Sequence, residues 1–233
     1  MMLGIPFSMY FGDDDIPALL LAGIGTSLTG FSFWFTTRKT DRLELGKREG
    51  YLIVSLGWVA MSVFGSLPFI IHGYIPSPTD AFFETMSGFT TTGASILSDI
   101  ESMPHGLLFW RSFTQWIGGM GIIVLSLAIL PLLGIGGMQL YAAEVPGITK
   151  DKFHPRVKET AKRLWIIYLA FTLVETILLM IAGMSFFDAI NHSFTTMATG
   201  GFSTKNASTA HYTSPFIQYI FILFMFFAGM NFT

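Results

Sequence analysis

The segment Asp80–Ser95 returns without a gap as Asp188–Ser203, 108 residues later. Asp80 falls on Asp188, Ala81 on Ala189, Thr91 on Thr199, Gly93 on Gly201 and Ser95 on Ser203. Each copy opens on Asp-Ala, closes on Thr-x-Gly-x-Ser and lies between long apolar segments. Thr-x-Gly-x-Ser alone is a weak signal, because such residues fill many loops. Two copies in the same register demand two equivalent structural units.

The apolar segments say where those units sit. Of 233 residues, 52% are hydrophobic and 12% charged, about half the charged share of a soluble domain. Crossing a hydrocarbon core takes about 20 residues of helix. Residues 16–37, 51–75, 107–133, 164–187 and 215–233 read as five such spans. Met1–Phe11 is apolar but too short to span. Asp13, Asp14 and Asp15 are expected to cap the helix that follows them, with Pro17 in its first turn. Pro68 places a kink late in the second span. Residues 80–89 and 188–197 read as helices far too short to cross, the first with Thr79 or Asp80 as its N-cap. The fold class is therefore an all-α membrane protein of repeated helix–short helix–loop–helix units behind a leading helix. The alternative is a soluble domain with an unusually greasy core. A net charge of −2 and the lack of a basic, aromatic groove exclude nucleic acid as a partner. Cysteine is absent, so there is no disulfide framework and no thiolate metal site. No secretory signal pattern opens the chain.

Charge orients the spans. Eleven of the 13 Lys and Arg lie in 38–50 and 134–163, leaving Arg111 and Lys205 elsewhere. Both basic connections are expected on the cytoplasmic side. That holds only if 80–95 and 188–203 enter and leave the membrane on one face. The charge pattern thus predicts re-entrant loops independently of the repeat.

A non-helical backbone in lipid leaves amides and carbonyls unpaired, at several kcal/mol each. Such loops must be buried in protein or line a wet path. Carbonyls without donors are satisfied by a cation, and rings of them replace a potassium ion's water shell. Glycine supplies the left-handed backbone angles that align successive carbonyls. The preceding short helix points its partly negative C-terminal end at the same place. Ordinary surface turns are the rival reading, and they account for neither the repeat nor the charge pattern.

With these residues in view, the chain resembles the Trk/Ktr/HKT superfamily of potassium transporters, most of all its bacterial Trk-type membrane subunits. Gly118-Gly119-Met120-Gly121, the stretch Leu130–Leu140 and Glu144-Val145-Pro146-Gly147 share in the resemblance. It implies four potassium-channel-like units around one pore. Gly93 and Gly201 take the place of the filter glycine. By resemblance, carbonyls of Thr91, Thr92, Gly93, Thr199, Gly200 and Gly201 line the path of K+, with no organic cofactor and no enzymatic role. Some relatives carry Ser at the first filter glycine and admit sodium, so Gly93 implies a preference for potassium. The resemblance also implies a bacterial cytoplasmic (inner) membrane setting, contact with membrane lipid, a homodimer and a cytoplasmic nucleotide-binding regulatory subunit. Two of the four units are present, so the resemblance implies that the chain is the front half of a longer protein. Its expected organisation is 1–50 leading helix and loop, 51–140 first unit, 141–163 connection and 164–233 second unit.

Other residues carry weaker signals. Glu84 and His192 occupy equivalent places on the short helices and are expected to support the filter, with Ser95 and Ser203. Gly118, Gly119 and Gly121 are either a hinge in the third span or a close-packing site. Glu175 lies inside the fourth span, where a carboxylate either hydrogen-bonds a neighbouring helix or takes part in coupling. Arg111 is expected near the outer side, snorkelling. Asp99 and Glu101 are either a solvated acidic loop or a cation-concentrating mouth. Competing functions are a sodium- or ammonium-permeable relative on the same scaffold, and a membrane enzyme using Glu175 and His192.

Overall fold

The computed structural model describes residues 1–38, 47–129 and 153–230. A 3-10 turn, Met2–Gly4, leads into eight helices among them: α1 Ile5–Phe11, α2 Ile16–Thr37, α3 Lys47–His72, α4 Pro78–Phe89, α5 His105–Ile129, α6 Phe153–Ile181, α7 Phe186–Met197 and α8 Pro215–Ala228. Much of the two basic connections, and the motifs at 130–147, lie outside the described residues. The order long helix, short helix, loop, long helix occurs twice, as α3–α4–α5 and α6–α7–α8.

Local chemistry explains the boundaries. Ser77 caps α4 by accepting from the Asp80 amide at 3.4 Å. Ser185 caps α7 through the Asp188 amide at 3.0 Å. The short helices therefore begin at Pro78 and Phe186, ahead of the expected Asp80 and Asp188. The repeat thus starts at Ser77 and Ser185, each with an aspartate three residues on, a capping-box spacing. The fourth span ends at Ile181, earlier than expected, because Gly183 turns the chain at φ +102°. Helices α3 and α6 begin before the apolar stretch does, since backbone hydrogen bonding continues into polar sequence. Helix α3 runs unbroken through Pro68.

The aspartates before α2 cap a different helix from the one expected. Asp13 Oδ2 accepts from the His105 amide at 2.7 Å, and Asp15 Oδ2 accepts from the Leu107 amide at 2.9 Å. Asp15 makes no side-chain cap on α2. Two otherwise unpaired donors at the start of α5 are thereby satisfied from 92 residues away. A helix start buried against Gly4 and Ser8 has no water to turn to.

Large apolar side chains face outward, and polar ones share the interior with an apolar core. Leu21, Leu28, Phe31, Ile166, Leu173, Tyr219 and Phe226 are exposed, while Glu84, Arg111, Gln115, Glu175, Asn191 and His192 are buried. Among the described residues, Ile16–Thr37, Tyr51–His72 and Lys162–Ile181 are long and apolar enough to cross a membrane. Helix α5 is the centre, touching α1, α3, α4, α6 and α7. The two units meet through its aromatic face: Phe194 of α7 packs on Phe109, Phe113 and Trp116 at 5.3–5.8 Å between centroids.

Candidate functional site

The last turn of each short helix closes on the loop that follows. Thr91 N donates to Gly88 O at 3.0 Å and Thr92 N to Ser87 O at 3.0 Å. In the second unit Thr199 N donates to Thr196 O and Gly200 N to Thr195 O, both at 2.9 Å. The loop amides thus satisfy orphan helix carbonyls. The loop's own carbonyls are left over. Those of Thr91, Thr92, Gly93, Thr199, Gly200 and Gly201 accept no hydrogen bond among the described residues.

The backbone alternates in hand. Thr91 and Gly93 have φ +55° and +76°, and Thr199 and Gly201 have +54° and +81°, with ordinary negative φ at Thr92 and Gly200 between them. Alternating hand turns successive peptide planes so that their carbonyls face one side. Two of the four left-handed positions are threonines, where a β-branched side chain makes the conformation unfavourable by about 1–3 kcal/mol. Glycine was the expected carrier of the left-handed backbone, and no residue type marks Thr91 and Thr199 for it. Gly200 is small for another reason: a Cβ there would strike the Gln115 amide, reaching Nε2 at 2.7 Å. A Cβ on Gly93 would strike the Gly200 carbonyl oxygen, so the two loops are in direct backbone contact.

Behind each loop stands a polar side chain from its short helix. Glu84 Oε1 accepts from Ser95 Oγ at 2.9 Å and Oε2 from the Ile96 amide at 3.0 Å. His192 Nε2 lies 3.0 Å from Ser203 Oγ, and Nδ1 lies 2.8 Å from Asp188 O. A carbonyl only accepts, so Nδ1 carries the proton, and neutral Nε2 accepts from the serine. The pairs Glu84–Ser95 and His192–Ser203 are equivalent under the repeat. Each holds the strand that leaves the loop.

Arg111 is where expectation and structure part. It is buried and does not snorkel. Its Nε donates to Glu84 Oε1 at 2.7 Å, its Nη1 to Ser203 O at 3.1 Å, and its guanidinium lies 3.6 Å over the Phe202 ring. Low exposure of both partners, 2% and 1%, makes the pair a committed one. A cation pulled into the protein by a carboxylate has no reason to seek the surface. Gln115, one turn on, was not singled out from sequence. Its Oε1 accepts from the Phe202 amide at 3.1 Å. A polar residue one turn from an intramembrane arginine was the available signal.

Gly118 and Gly119 sit inside an unbroken α5. A Cβ on Gly118 would meet the Phe89 backbone, and one on Gly119 would meet Ala198 at 2.9 Å and the Tyr168 hydroxyl at 2.8 Å. These glycines let α5 wedge between the ends of α4 and α7, which supports the close-packing alternative. Gly121 is looser, with Trp58 at 3.6 Å. Glu175 is fully buried, and the Thr196 side chain of α7 is its polar neighbour. Asp99 and Glu101 are not merely solvated: Asn206 Nδ2 donates to Asp99 Oδ1 and its amide to Glu101 Oε1, both at 3.0 Å, and its Oδ1 accepts from the Ile100 amide at 2.6 Å. The loops that follow the two short helices are thus pinned together. No group of three or more His, Asp or Glu side chains among the described residues has the arrangement of a metal site.

Two helix–short helix–loop–helix units whose Thr/Gly loops touch through Gly93 and Gly200 define a pore-loop membrane protein. The family model for TrkH, described as cation transport protein, matches residues 16–233, and the chain belongs to that family. It is 47% identical over 249 aligned residues to the Trk system potassium uptake protein TrkH of Escherichia coli K12, covering 99% of this chain and 51% of that protein. It is 39% identical over 206 residues to the Trk system potassium uptake protein TrkG of the same strain, covering 88% of this chain and 42% of that one. The crystal structure of the potassium transporter TrkH from Vibrio parahaemolyticus superposes with a TM-score of 0.85 at 40% identity, covering 99% of this chain and 46% of that one. The chain spans about half the length of the curated relatives it matches.

Proposed function

We propose that this chain contributes two adjacent quadrants of a potassium-selective pore serving potassium uptake. The observation that carries the reading is the set of six loop carbonyls without donors, aligned by alternating backbone hand at the ends of two helices. Neither helix has a basic residue in its last turn, so both partly negative ends favour a cation there. Carbonyls of Thr91, Thr92, Gly93, Thr199, Gly200 and Gly201 replace the hydration shell of K+, the transported substrate. Glu84 with Ser95, and His192 with Ser203, hold the two strands. The membrane potential drives entry, at about 2.3 kcal/mol per charge per 100 mV. Residues 51–140 and 164–233 act as the two pore units, with 1–50 as a leading region and 141–163 as a cytoplasmic connection. The setting is the bacterial cytoplasmic membrane. The remaining quadrants, a second copy and a nucleotide-binding regulatory subunit complete the working assembly. The names of the relatives support potassium as the substrate.

Rubidium uptake into liposomes holding the full-length protein tests this. Competition by potassium with little competition by sodium or ammonium is expected; equal competition by sodium or ammonium overturns it.

A further inference from the structure

We infer that Arg111 and Gln115 are positioning residues that make α5 of the first unit set the carbonyl geometry of the second unit's loop. The inference rests on the reading of these loops as an ion path.

The two side chains stand one turn apart on α5 and project the same way. Both are buried, and both reach across the boundary between units. Gln115 Oε1 takes the Phe202 amide at 3.1 Å, and Arg111 Nη1 gives to Ser203 O at 3.1 Å. Consecutive residues just after Gly201 are therefore held from the neighbouring unit, one through N–H and one through C=O. The Phe202 ring between them lies under the guanidinium at 3.6 Å. On this strand His192 touches the Ser203 hydroxyl and not the backbone. The backbone of 202–203 gets its side-chain hydrogen bonds from α5.

The consequence reaches the carbonyls. The Gln115 amide forms the wall behind Gly200, and the Gly200 carbonyl oxygen abuts Gly93 on the other side. The order is Gln115, Gly200, Gly93, with no room for a Cβ at either glycine. Moving the Gln115 amide frees Gly200 to rotate its peptide plane, and that changes the distance between carbonyls of the two loops. Arg111 fixes the same spacing from Glu84, which carries the first loop's exit strand. A pair of side chains on one helix thus sets how far apart two quadrants sit. On this reading ion discrimination is the property that responds to that separation.

The test uses the full-length protein in liposomes and the ratio of potassium to sodium competition against rubidium uptake. Gln115→Leu keeps volume and removes the acceptor for the Phe202 amide. Arg111→Lys keeps the charge for Glu84 and removes the reach to Ser203 O and the stacking on Phe202. Each is expected to lower the ratio by about fivefold or more, the worth of one hydrogen bond, with maximal rubidium uptake per inserted protein retained. A wild-type ratio in both variants overturns the inference. So does failure of both to accumulate in the membrane, which would make the pair a folding element. If the wild-type protein itself does not distinguish potassium from sodium, the ion-path reading falls first.

Discussion

Gly93 of the first loop lies so close to the carbonyl oxygen of Gly200 in the second that a Cβ on Gly93 would overlap that oxygen. Gly201 has the same left-handed backbone, at φ +81° against +76°, but open space where its Cβ would go. The two glycines therefore separate backbone strain from steric contact. Gly201→Ala incurs the left-handed cost alone, about 1–2 kcal/mol. Gly93→Ala adds a collision with backbone that has nowhere to retreat. Potassium selectivity should drop in both variants, much more in Gly93→Ala, and Gly93→Ser should admit sodium. Equal losses would mean that the two loops do not touch.

Arg111 and Glu84 form a buried pair whose members are worth more together than singly. Removing one leaves the other charged and dry, at about 3–5 kcal/mol. Arg111→Met and Glu84→Gln should each lower the thermal midpoint in detergent by several degrees. Glu84→Gln combined with Arg111→Met should lie closer to wild type than either. A double variant that loses the sum of the two single losses would show that the charges act independently.

Most of the architecture was legible because apolar runs and basic loops are one-dimensional signals. The long helices near 16–37, 51–72 and 162–181, the two short helices with their Thr/Gly loops and the equivalence of Glu84 with His192 followed from spacing. What was not legible depends on who meets whom. Asp13 and Asp15 look like caps for the helix they precede, and nothing in sequence says that α5 passes closer. Arg111 lies at an apparent span boundary, and its burial follows from Glu84 standing a hydrogen bond away on α4. Thr91 and Thr199 are left-handed because the loop must close on the helix end, a demand that residue type does not record. Ser77 and Ser185 were legible, because the serine-x-x-aspartate spacing stands in both copies of the repeat.

If Gly118–Gly121 served as a hinge, alanine at any of the three glycines would slow transport. The packing instead predicts a gradient. Gly118→Ala drives a methyl into the Phe89 backbone and should destabilise by about 1–3 kcal/mol. Gly121→Ala finds ordinary contact with Trp58 and should be neutral or stabilising by up to about 1 kcal/mol. Thermal midpoints and rubidium uptake measured on both decide. Slow uptake in a stable Gly121→Ala protein would restore the hinge.

Asn206 and Asp99 join the loops that follow the two short helices in a way that pH should loosen. The Asn206 side-chain amide, with Ser102, holds the exposed Asp99 carboxyl below the ordinary carboxylate range. A depressed value means that the docked form prefers the charged carboxylate. Docking from this contact is therefore fully present above the ordinary carboxylate value and is lost as pH falls through the lower, docked value. The Ile100 amide, which donates to Asn206 Oδ1, reports it. Its hydrogen-exchange protection factor should hold a plateau from neutral pH down to about pH 4 and then fall. Asn206→Ala should remove the protection at every pH. Asp99→Asn keeps an oxygen acceptor and should flatten the acid fall, with Glu101 still taking the Asn206 amide. An unchanged acid fall in Asp99→Asn would assign the titration to another group.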